Sequence, residues 1–174
     1  MTEVAVIVGG GPGISASCAR LFSNKGMKVA VAARNIGKPA LKKLMEDHSV
    51  KLIACDAADP DSVSSLFDTV RKGLGNPTLV VHNIDGRSAD VFRKRITEVD
   101  PALVQSVIAN STYSAFLVGQ QATRCLMEND IGDNGRGSII FTNASAAIKG
   151  YPRSGAFAAA CHGKAGLAQS MARE

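Results

Sequence analysis

A glycine-rich segment near residue 10 constrains the fold more strongly than any other part of the chain. Its sequence is Val8-Gly9-Gly10-Gly11-Pro12-Gly13-Ile14-Ser15. The segment follows an apolar run at 4–8 and precedes a stretch with helical periodicity, so it is the turn of a strand–turn–helix unit. Glycine lets a ligand approach the backbone closely, and a helix N-terminus offers N–H groups and partial positive charge. We predict a pyrophosphate site at Gly9, Gly11, Gly13 and Ile14; the alternative is a tight turn with a structural role alone.

The rest of the chain alternates short apolar runs with longer helical stretches, without a repeat or a linker. The predicted strands are 4–8, 28–33, 50–55, 78–82 and 138–142. The predicted helices are 14–25, 39–47, 61–72, 101–128 and 155–174. Nearly continuous apolar strands are typical of a parallel sheet that is covered on both faces. The pattern predicts an α/β fold, a doubly wound parallel sheet with helices on both faces, as a single domain over residues 1–174.

Composition argues against several classes of protein. The chain has 174 residues, of which 45% are hydrophobic and 20% charged, as in an ordinary globular domain. The first apolar run ends at Gly9 and is too short for a signal peptide or a membrane span, so we predict a cytoplasmic protein without membrane association. The net charge of +5 comes from scattered residues and aromatic residues make up only 5%, which argues against nucleic acid as a partner.

The four cysteines are expected to be reduced thiols, mostly in the core. They are Cys18, Cys55, Cys125 and Cys161. They lie far apart, with no CxxC pair and no spacing typical of metal ligands. We therefore predict neither a disulfide framework nor a metal site.

The end of the second predicted strand indicates which dinucleotide the chain binds. In dinucleotide-binding units this end faces the adenosine ribose, where an acidic residue favours NAD and an arginine accommodates a 2′-phosphate. Arg34, with no acid at Ala32 or Ala33, predicts NADP(H), with NAD less favoured; the alternative is an exposed arginine that starts a loop. Asp56, after the third strand, is predicted to accept a hydrogen bond from the adenine amino group. Its alternative role is to cap the next helix, for which Asp59 is better placed.

The order of these motifs resembles that of the short-chain dehydrogenase/reductase family. The motifs are the glycine turn, Ala32-Ala33-Arg34, Cys55-Asp56, Asn83, 137–142 and 167–174. The resemblance covers essentially the whole chain and implies a Rossmann-like fold, a nicotinamide cofactor and hydride transfer to or from a carbonyl or alcohol carbon. It adds Asn83 to the predicted cofactor-binding residues, where it bridges backbone groups. Because family members are usually longer, it also implies that the C-terminal part of the family fold is missing from this chain.

Two departures from the family pattern fall near the predicted cofactor site. Ser15 stands where family members usually have glycine. A turn that usually reads Asn-Asn-Ala-Gly is His82-Asn83-Ile84-Asp85 here.

The catalytic positions depart further. In the family a serine orients the carbonyl oxygen, a tyrosine transfers the proton, and a lysine four residues later lowers the tyrosine pKa and holds the ribose. These positions are Ala144, Phe157 and Cys161 in this sequence, and the family's helix asparagine falls on Ser111 or Asn110. A phenyl ring has no proton to give, and a cysteine lacks the permanent charge of a lysine.

Neighbouring residues offer substitutes for the lost groups. Ser145 follows Ala144, Tyr151 lies in the loop before the last helix, and Lys164 lies one helical turn beyond Cys161 on the same face. With Asn110, they form the predicted catalytic set: Ser145, Tyr151, Lys164 and Asn110.

Three other titratable residues are alternative candidates for the proton donor. Tyr113 is expected to be a packed aromatic residue of the long helix. Histidine can donate a proton near neutral pH, and of His82 and His162 the first is better placed, although residence in the core or a loop is its simpler explanation.

Two functions from different classes remain open. The first is an NADP-dependent oxidoreductase with a rearranged set of catalytic groups that acts on a small carbonyl or alcohol compound. The second is a non-catalytic NADP-binding protein that serves as a sensor or assembly module.

The helices 101–128 and 155–174 resemble the pair that packs against its copy in family dimers, so we expect a homodimer or homotetramer. Small residues in the second helix permit close approach of another helix: Ala158, Ala159, Gly163 and Ala165. The alternative is that these residues serve packing within the chain.

Overall fold

A computed structural model describes residues 3–91, 93–132 and 135–174. Its strands are β1 (Val4–Val8), β2 (Lys28–Ala33), β3 (Lys51–Ala54), β4 (Leu79–His82) and β5 (Ser138–Phe141). They form one sheet with the order β3-β2-β1-β4-β5. β1 pairs in parallel with both β2 and β4, and β2 pairs in parallel with β3. Strands that alternate with helices and pair in parallel confirm the predicted α/β, Rossmann-like fold.

Six α-helices connect and follow these strands in the described part of the chain. They are α1 (Ile14–Asn24), α2 (Pro39–His48), α3 (Pro60–Gly73), α4 (Pro101–Ile108), α5 (Ser114–Met127) and α6 (Gly155–Met171). Short 3₁₀ turns lie at Ile96–Glu98 and Ser145–Ala147. Asp59, not Asp56, caps α3: its side chain accepts a hydrogen bond from the Asp61 N–H at 3.1 Å, and Pro60 begins the helix.

The predicted helix over 101–128 is helical from Pro101 to Met127, but it is not one regular α-helix, because a π-helical turn at Ala109–Tyr113 lies between α4 and α5. Polar side chains in this segment compete for backbone groups. Asn110 Nδ2 donates to the Ser106 carbonyl at 2.8 Å, and Ser114 Oγ donates to the Asn110 carbonyl at 2.7 Å. Such bonds divert the backbone from the regular α-helical pattern, and π-turns are frequent at functional sites.

The last helix is also shorter than predicted. It ends at Met171 and not at Glu174. The Arg173 N–H donates to the Ser170 carbonyl at 2.9 Å, so the backbone tightens into a three-residue turn there.

The chain divides into two compact units, and each has its own core. The first comprises the described residues of Met1–Asn83 and Leu117–Ile140, and the second Ile84–Phe116 and Phe141–Glu174. In the first unit all five residues of β1 are buried, and Ile7 packs in a cluster with Val31 of β2 and Leu41 of α2. Burial of a whole strand is expected where both faces of the sheet are covered.

In the second unit, helices provide the packing. Val107 of α4 clusters with Ala156 and Ala160 of α6, and Thr112 Oγ1 donates to the Ala160 carbonyl at 2.9 Å. A Cβ on Gly163 would lie 2.9 Å from Thr112 Cγ2, so the small residue at that position serves packing within the chain. The homodimer or homotetramer stays a prediction from the sequence.

The cysteines are free thiols, as predicted. Cys55, Cys125 and Cys161 are buried and Cys18 is partly buried. Burial raises the pKa of the Cys55, Cys125 and Cys161 thiols, so these groups keep their protons near neutral pH. Over the described ranges, no three His, Cys, Asp or Glu residues are grouped to hold a metal ion, and no helix is long and apolar enough to cross a membrane.

We expect Gly10→Ala to destabilise the protein by about 1–3 kcal/mol, because the added methyl group overpacks the core. A Cβ on Gly10 would lie 2.8 Å from Val31 Cγ1 and 3.3 Å from Leu41 Cδ1. Urea denaturation measures the free energy of unfolding. Gly11→Ala is the matched control, since a Cβ there meets no atom within 4 Å. Equal stability of the two variants would contradict the close packing of the turn on β2.

Candidate functional site

The glycine turn is anchored on the end of β2. Gly9 has a φ of +104°, a conformation that favours glycine. The Gly9 and Gly10 N–H groups both donate to the Ala32 carbonyl, at 3.0 and 2.8 Å. These two bonds bend the chain sharply after β1 and lead it into α1, which begins at Ile14.

The solvent side of this turn is open. A Cβ on Gly11 or Gly13 would meet no atom within 4 Å, and Gly13 and Ile14 are exposed. The first N–H groups of a helix have no partner within it, and the first turn of α1 contains no acidic residue that would repel an anion. The structure thus brings together the four residues predicted for the pyrophosphate, with backbone donors and a positive helix end.

Ser15 makes a link that the sequence analysis missed. Its side chain is fully buried; Oγ donates to the Gly9 carbonyl at 2.7 Å and accepts from Asn83 Nδ2 at 2.6 Å. The Asn83 backbone N–H donates to the Val8 carbonyl at 2.7 Å. The serine in place of the family's glycine therefore fastens the turn to the residue that follows β4.

Arg34 and Asp56 lie at the same edge of the sheet as the glycine turn, because parallel strands end on one side. Arg34 follows β2 and Asp56 follows β3, the strand paired with β2. Both side chains are exposed. Asp56 Oδ1 accepts from the Ala58 N–H at 3.0 Å in a local turn, which leaves the cap of α3 to Asp59.

In the second unit, Lys164 is a buried lysine of α6. Its side chain is 2% exposed, and Nζ donates to the Ile84 carbonyl at 2.7 Å and the Thr142 carbonyl at 3.2 Å. Burial lowers the pKa of Lys164 below its ordinary value, while Cys161 and Asp85 oppose that shift. The amine therefore holds together the segments that follow β4 and β5.

Phe157 and Cys161, which the sequence resemblance places at the tyrosine and lysine positions of the family, are both buried in α6. Burial raises the pKa of the Cys161 thiol, and Lys164 partly opposes this. Asn143, which the sequence analysis did not single out, fixes this region: Nδ2 donates to the Cys161 carbonyl at 2.9 Å, and Oδ1 accepts from the Ala144 N–H at 3.0 Å. Neither of the two family positions supplies a proton donor or a cation near neutral pH.

A cavity of about 290 Å³ lies in the second unit. Ser145 and Tyr151 both line it, beside Ala144 and Phe157, which the sequence resemblance places at the serine and tyrosine positions of the family. Lys149 Nζ lies 5.2 Å from the centroid of the Tyr151 ring, within range of a cation–π contact. Lys164 and Asn110 are not among the lining residues, so the cavity brings together two of the four predicted catalytic side chains.

The remaining titratable candidates lie outside this cavity's lining. His82 is fully buried within β4, opposite Val8, which agrees with core residence. His162 is exposed on α6, with Nδ1 2.9 Å from the Ala158 carbonyl oxygen. The expectation of a packed Tyr113 is wrong, because this residue is 44% exposed in the π-turn.

Comparison with known proteins defines the class. A family model described as enoyl-(acyl carrier protein) reductase matches residues 9–174. The chain belongs to the short-chain dehydrogenase/reductase family.

Named relatives and a solved structure agree with this assignment. The 3-oxoacyl-[acyl-carrier-protein] reductase MabA of Mycobacterium tuberculosis is 32% identical over 100% of this chain and 64% of its own length. The (+)-borneol dehydrogenase 1 of Salvia officinalis is 27% identical over 99% of this chain and 64% of its own length. An F189W actinorhodin polyketide ketoreductase solved with NADPH shares the fold, with a TM-score of 0.85 and 22% identity over 98% of this chain and 64% of that one. The chain thus spans just under two thirds of the length of these proteins.

We expect Ser15→Ala to lower the free energy of unfolding by about 1–3 kcal/mol, because the partly buried Gly9 carbonyl and Asn83 amide each lose the hydrogen bond to the buried Ser15 hydroxyl. Chemical denaturation measures the change. Ser17→Ala, at an exposed position of the same helix, is the control and should leave stability within about 0.5 kcal/mol of the parent. If both variants unfold alike, the Ser15 link to Gly9 and Asn83 contributes nothing to the fold.

Proposed function

We propose that this chain is an NADP-preferring oxidoreductase that transfers hydride to or from the carbonyl or alcohol carbon of a small molecule. The cavity lined by Ser145 and Tyr151, beside the two family positions Ala144 and Phe157, carries this proposal. Membership of the family supports the class of reaction. The relatives MabA and borneol dehydrogenase are, by name, a reductase and a dehydrogenase.

The first unit holds the dinucleotide in this proposal. Gly9 shapes the turn, while Gly11, Gly13 and Ile14 present backbone donors to the pyrophosphate. When bound, the nicotinamide supplies or accepts the hydride. Asn83 keeps the turn in register through Ser15.

Arg34 and Asp56 define the adenosine end. Arg34 forms charge-assisted hydrogen bonds with the 2′-phosphate, because its exposed guanidinium follows β2 and no acid precedes it. Asp56 accepts from the adenine amino group with the oxygen that its local turn does not use. A ketoreductase of the same fold was solved with NADPH, which supports this choice of cofactor.

The second unit supplies the proton and the orientation of the substrate. Tyr151 donates its phenolic proton to the carbonyl oxygen as hydride arrives, and the Ser145 hydroxyl donates a hydrogen bond to the same oxygen. The Lys149 ammonium beside the Tyr151 ring favours the transfer, because it offsets the negative charge that develops on the phenol. Lys164 positions the loops after β4 and β5, and Asn110 lies in the π-turn.

The second candidate function, a non-catalytic NADP-binding protein, is favoured by one specific observation. Phe157 and Cys161 replace the family's tyrosine and lysine and are buried in α6. The amine of Lys164, which lies on the same helix, already donates to two backbone carbonyls. In this alternative the dinucleotide is a signal that is bound and not turned over.

We expect calorimetric titration to show tighter binding of NADPH than of NADH. Arg34→Ala should weaken NADPH binding about 10- to 100-fold, the effect of losing a hydrogen bond to a charged group, and leave NADH binding unchanged. Arg20→Ala, at an exposed position of α1, is the control for loss of surface charge. Equal affinities for the two dinucleotides, or no effect of Arg34→Ala, would overturn the assignment of NADP.

We expect Tyr151→Phe to lower kcat about 10²- to 10⁴-fold in NADPH-dependent reduction of a panel of carbonyl compounds, because the positioned acid is lost. Tyr113→Phe removes a hydroxyl outside the cavity and is the matched control. NADPH affinity, measured by titration, should not change in either variant. Turnover that Tyr151→Phe leaves intact would exclude Tyr151 as the acid.

The double variant Phe157→Tyr/Cys161→Lys separates the two candidate functions. If the natural protein turns over nothing in the panel and the double variant does, the non-catalytic function is correct. Substantial activity of the natural protein, unchanged by the two substitutions, supports the oxidoreductase.

A further inference from the structure

Arginines dominate the wall of the cavity in the second unit. Arg87, Arg93 and Arg153 all line it. None of the lining residues that the structure describes is acidic. Asp85 forms an ion pair with Arg87, 2.5 Å from Nη2 to Oδ2, but does not line the cavity. Asp85 offsets the charge of Arg87, so the cationic character of the lining comes from Arg93 and Arg153.

The rest of the wall is largely apolar. It is formed by Ala144, Ala146, Pro152 and Phe157 together with the ring of Tyr151. The Arg87 guanidinium carbon lies 5.2 Å from the centroid of the Phe157 ring, so the aromatic face supports the cation. A cavity of about 290 Å³ with an apolar wall and a few convergent polar groups suits a small organic ligand.

Two of the three arginines adopt a backbone conformation that costs energy. Arg93 has a φ of +68° and Arg153 a φ of +60°, in the left-handed region that favours glycine. A glycine at either position would relieve the strain. Strained residues persist where the surrounding structure holds them, and they cluster at ligand-binding sites. Both strained arginines line the same cavity, so we relate their backbone strain to ligand binding in that cavity.

We propose that this cavity recognises substrates that carry an anionic group, a carboxylate or a phosphate, on a small apolar body. Guanidinium groups bind both kinds of anion through paired, charge-assisted hydrogen bonds. The anionic group docks on Arg153 and its neighbouring arginines, and the apolar body lies against Pro152 and Phe157. This assignment of substrate class rests on the proposed oxidoreductase function, but the binding it requires is measurable without turnover.

The test is calorimetric titration of the intact protein with three probes of similar size: benzoate, phenyl phosphate and neutral benzamide. We expect at least one anion to bind ten times more tightly than benzamide, and the preferred anion identifies carboxylate or phosphate as the recognised group. Arg153→Gly should weaken that binding at least fivefold. Because glycine suits a φ of +60°, the same variant should unfold at an equal or higher temperature. Loss of affinity with unchanged or raised stability is an outcome that a merely structural arginine would not give.

Two controls locate the effect. Arg124→Gln removes the charge of an exposed arginine of α5 and controls for net charge; glutamine is chosen because glycine would weaken the interior of the helix. This variant should leave anion binding unchanged. NADPH titration of Arg153→Gly should match the parent, so a failure of the cofactor proposal is visible separately. Benzamide binding as tight as that of both anions, or anion binding that survives Arg153→Gly unchanged, overturns the proposal.

Discussion

The turn that follows β1 is the constraint on which the rest of the first unit depends. Gly9 takes a positive φ and shares the Ala32 carbonyl with Gly10, so the chain leaves the sheet sharply and enters α1 at Ile14. The turn thereby aims the first N–H groups of α1 into open space beside Gly11 and Gly13. A turn of bulkier or less flexible residues could lead into the same helix, but it would not provide the same anion site. Backbone geometry, rather than any charged side chain, therefore defines the predicted pyrophosphate position.

The glycines of this turn are explained by two different physical requirements. Gly10 is small because Val31 and Leu41 pack against it, whereas Gly11 and Gly13 leave room on the solvent side. Ser15 shows that the family's usual glycine is not the only solution at the start of α1. Its hydroxyl is accommodated because it satisfies the Gly9 carbonyl and the Asn83 amide together, and a buried polar group is tolerated when it is hydrogen-bonded.

Sequence reasoning could predict the features that local patterns determine. The bounds of β1 and β2 are as predicted, because both strands are apolar runs with glycine, lysine or arginine at their ends. The start of α3 is marked by Asp59-Pro60, as a helix start signal indicates. It could not predict the π-turn, since Asn110 and Ser114 divert the backbone through bonds that helical periodicity does not reveal. The Ser15 link to Asn83 and the grouping of Arg87 with Arg153 join residues more than 60 positions apart, and only the fold brings them together.

Phe157, which the sequence resemblance places at the tyrosine position of the family, affects more than the proposed proton transfer. The phenyl ring removes the acid, yet it also presents an apolar face on which the Arg87 guanidinium rests. A phenol at this position would have its ionised form favoured by that guanidinium, by the same electrostatics that the family obtains from its lysine. With a phenyl ring instead, the Arg87 guanidinium contacts an aromatic face on one side and pairs with Asp85 on the other. In the proposed site Phe157 thus supplies an apolar surface and the arginines supply positive charge, and these are the two features that the proposed anionic substrate requires.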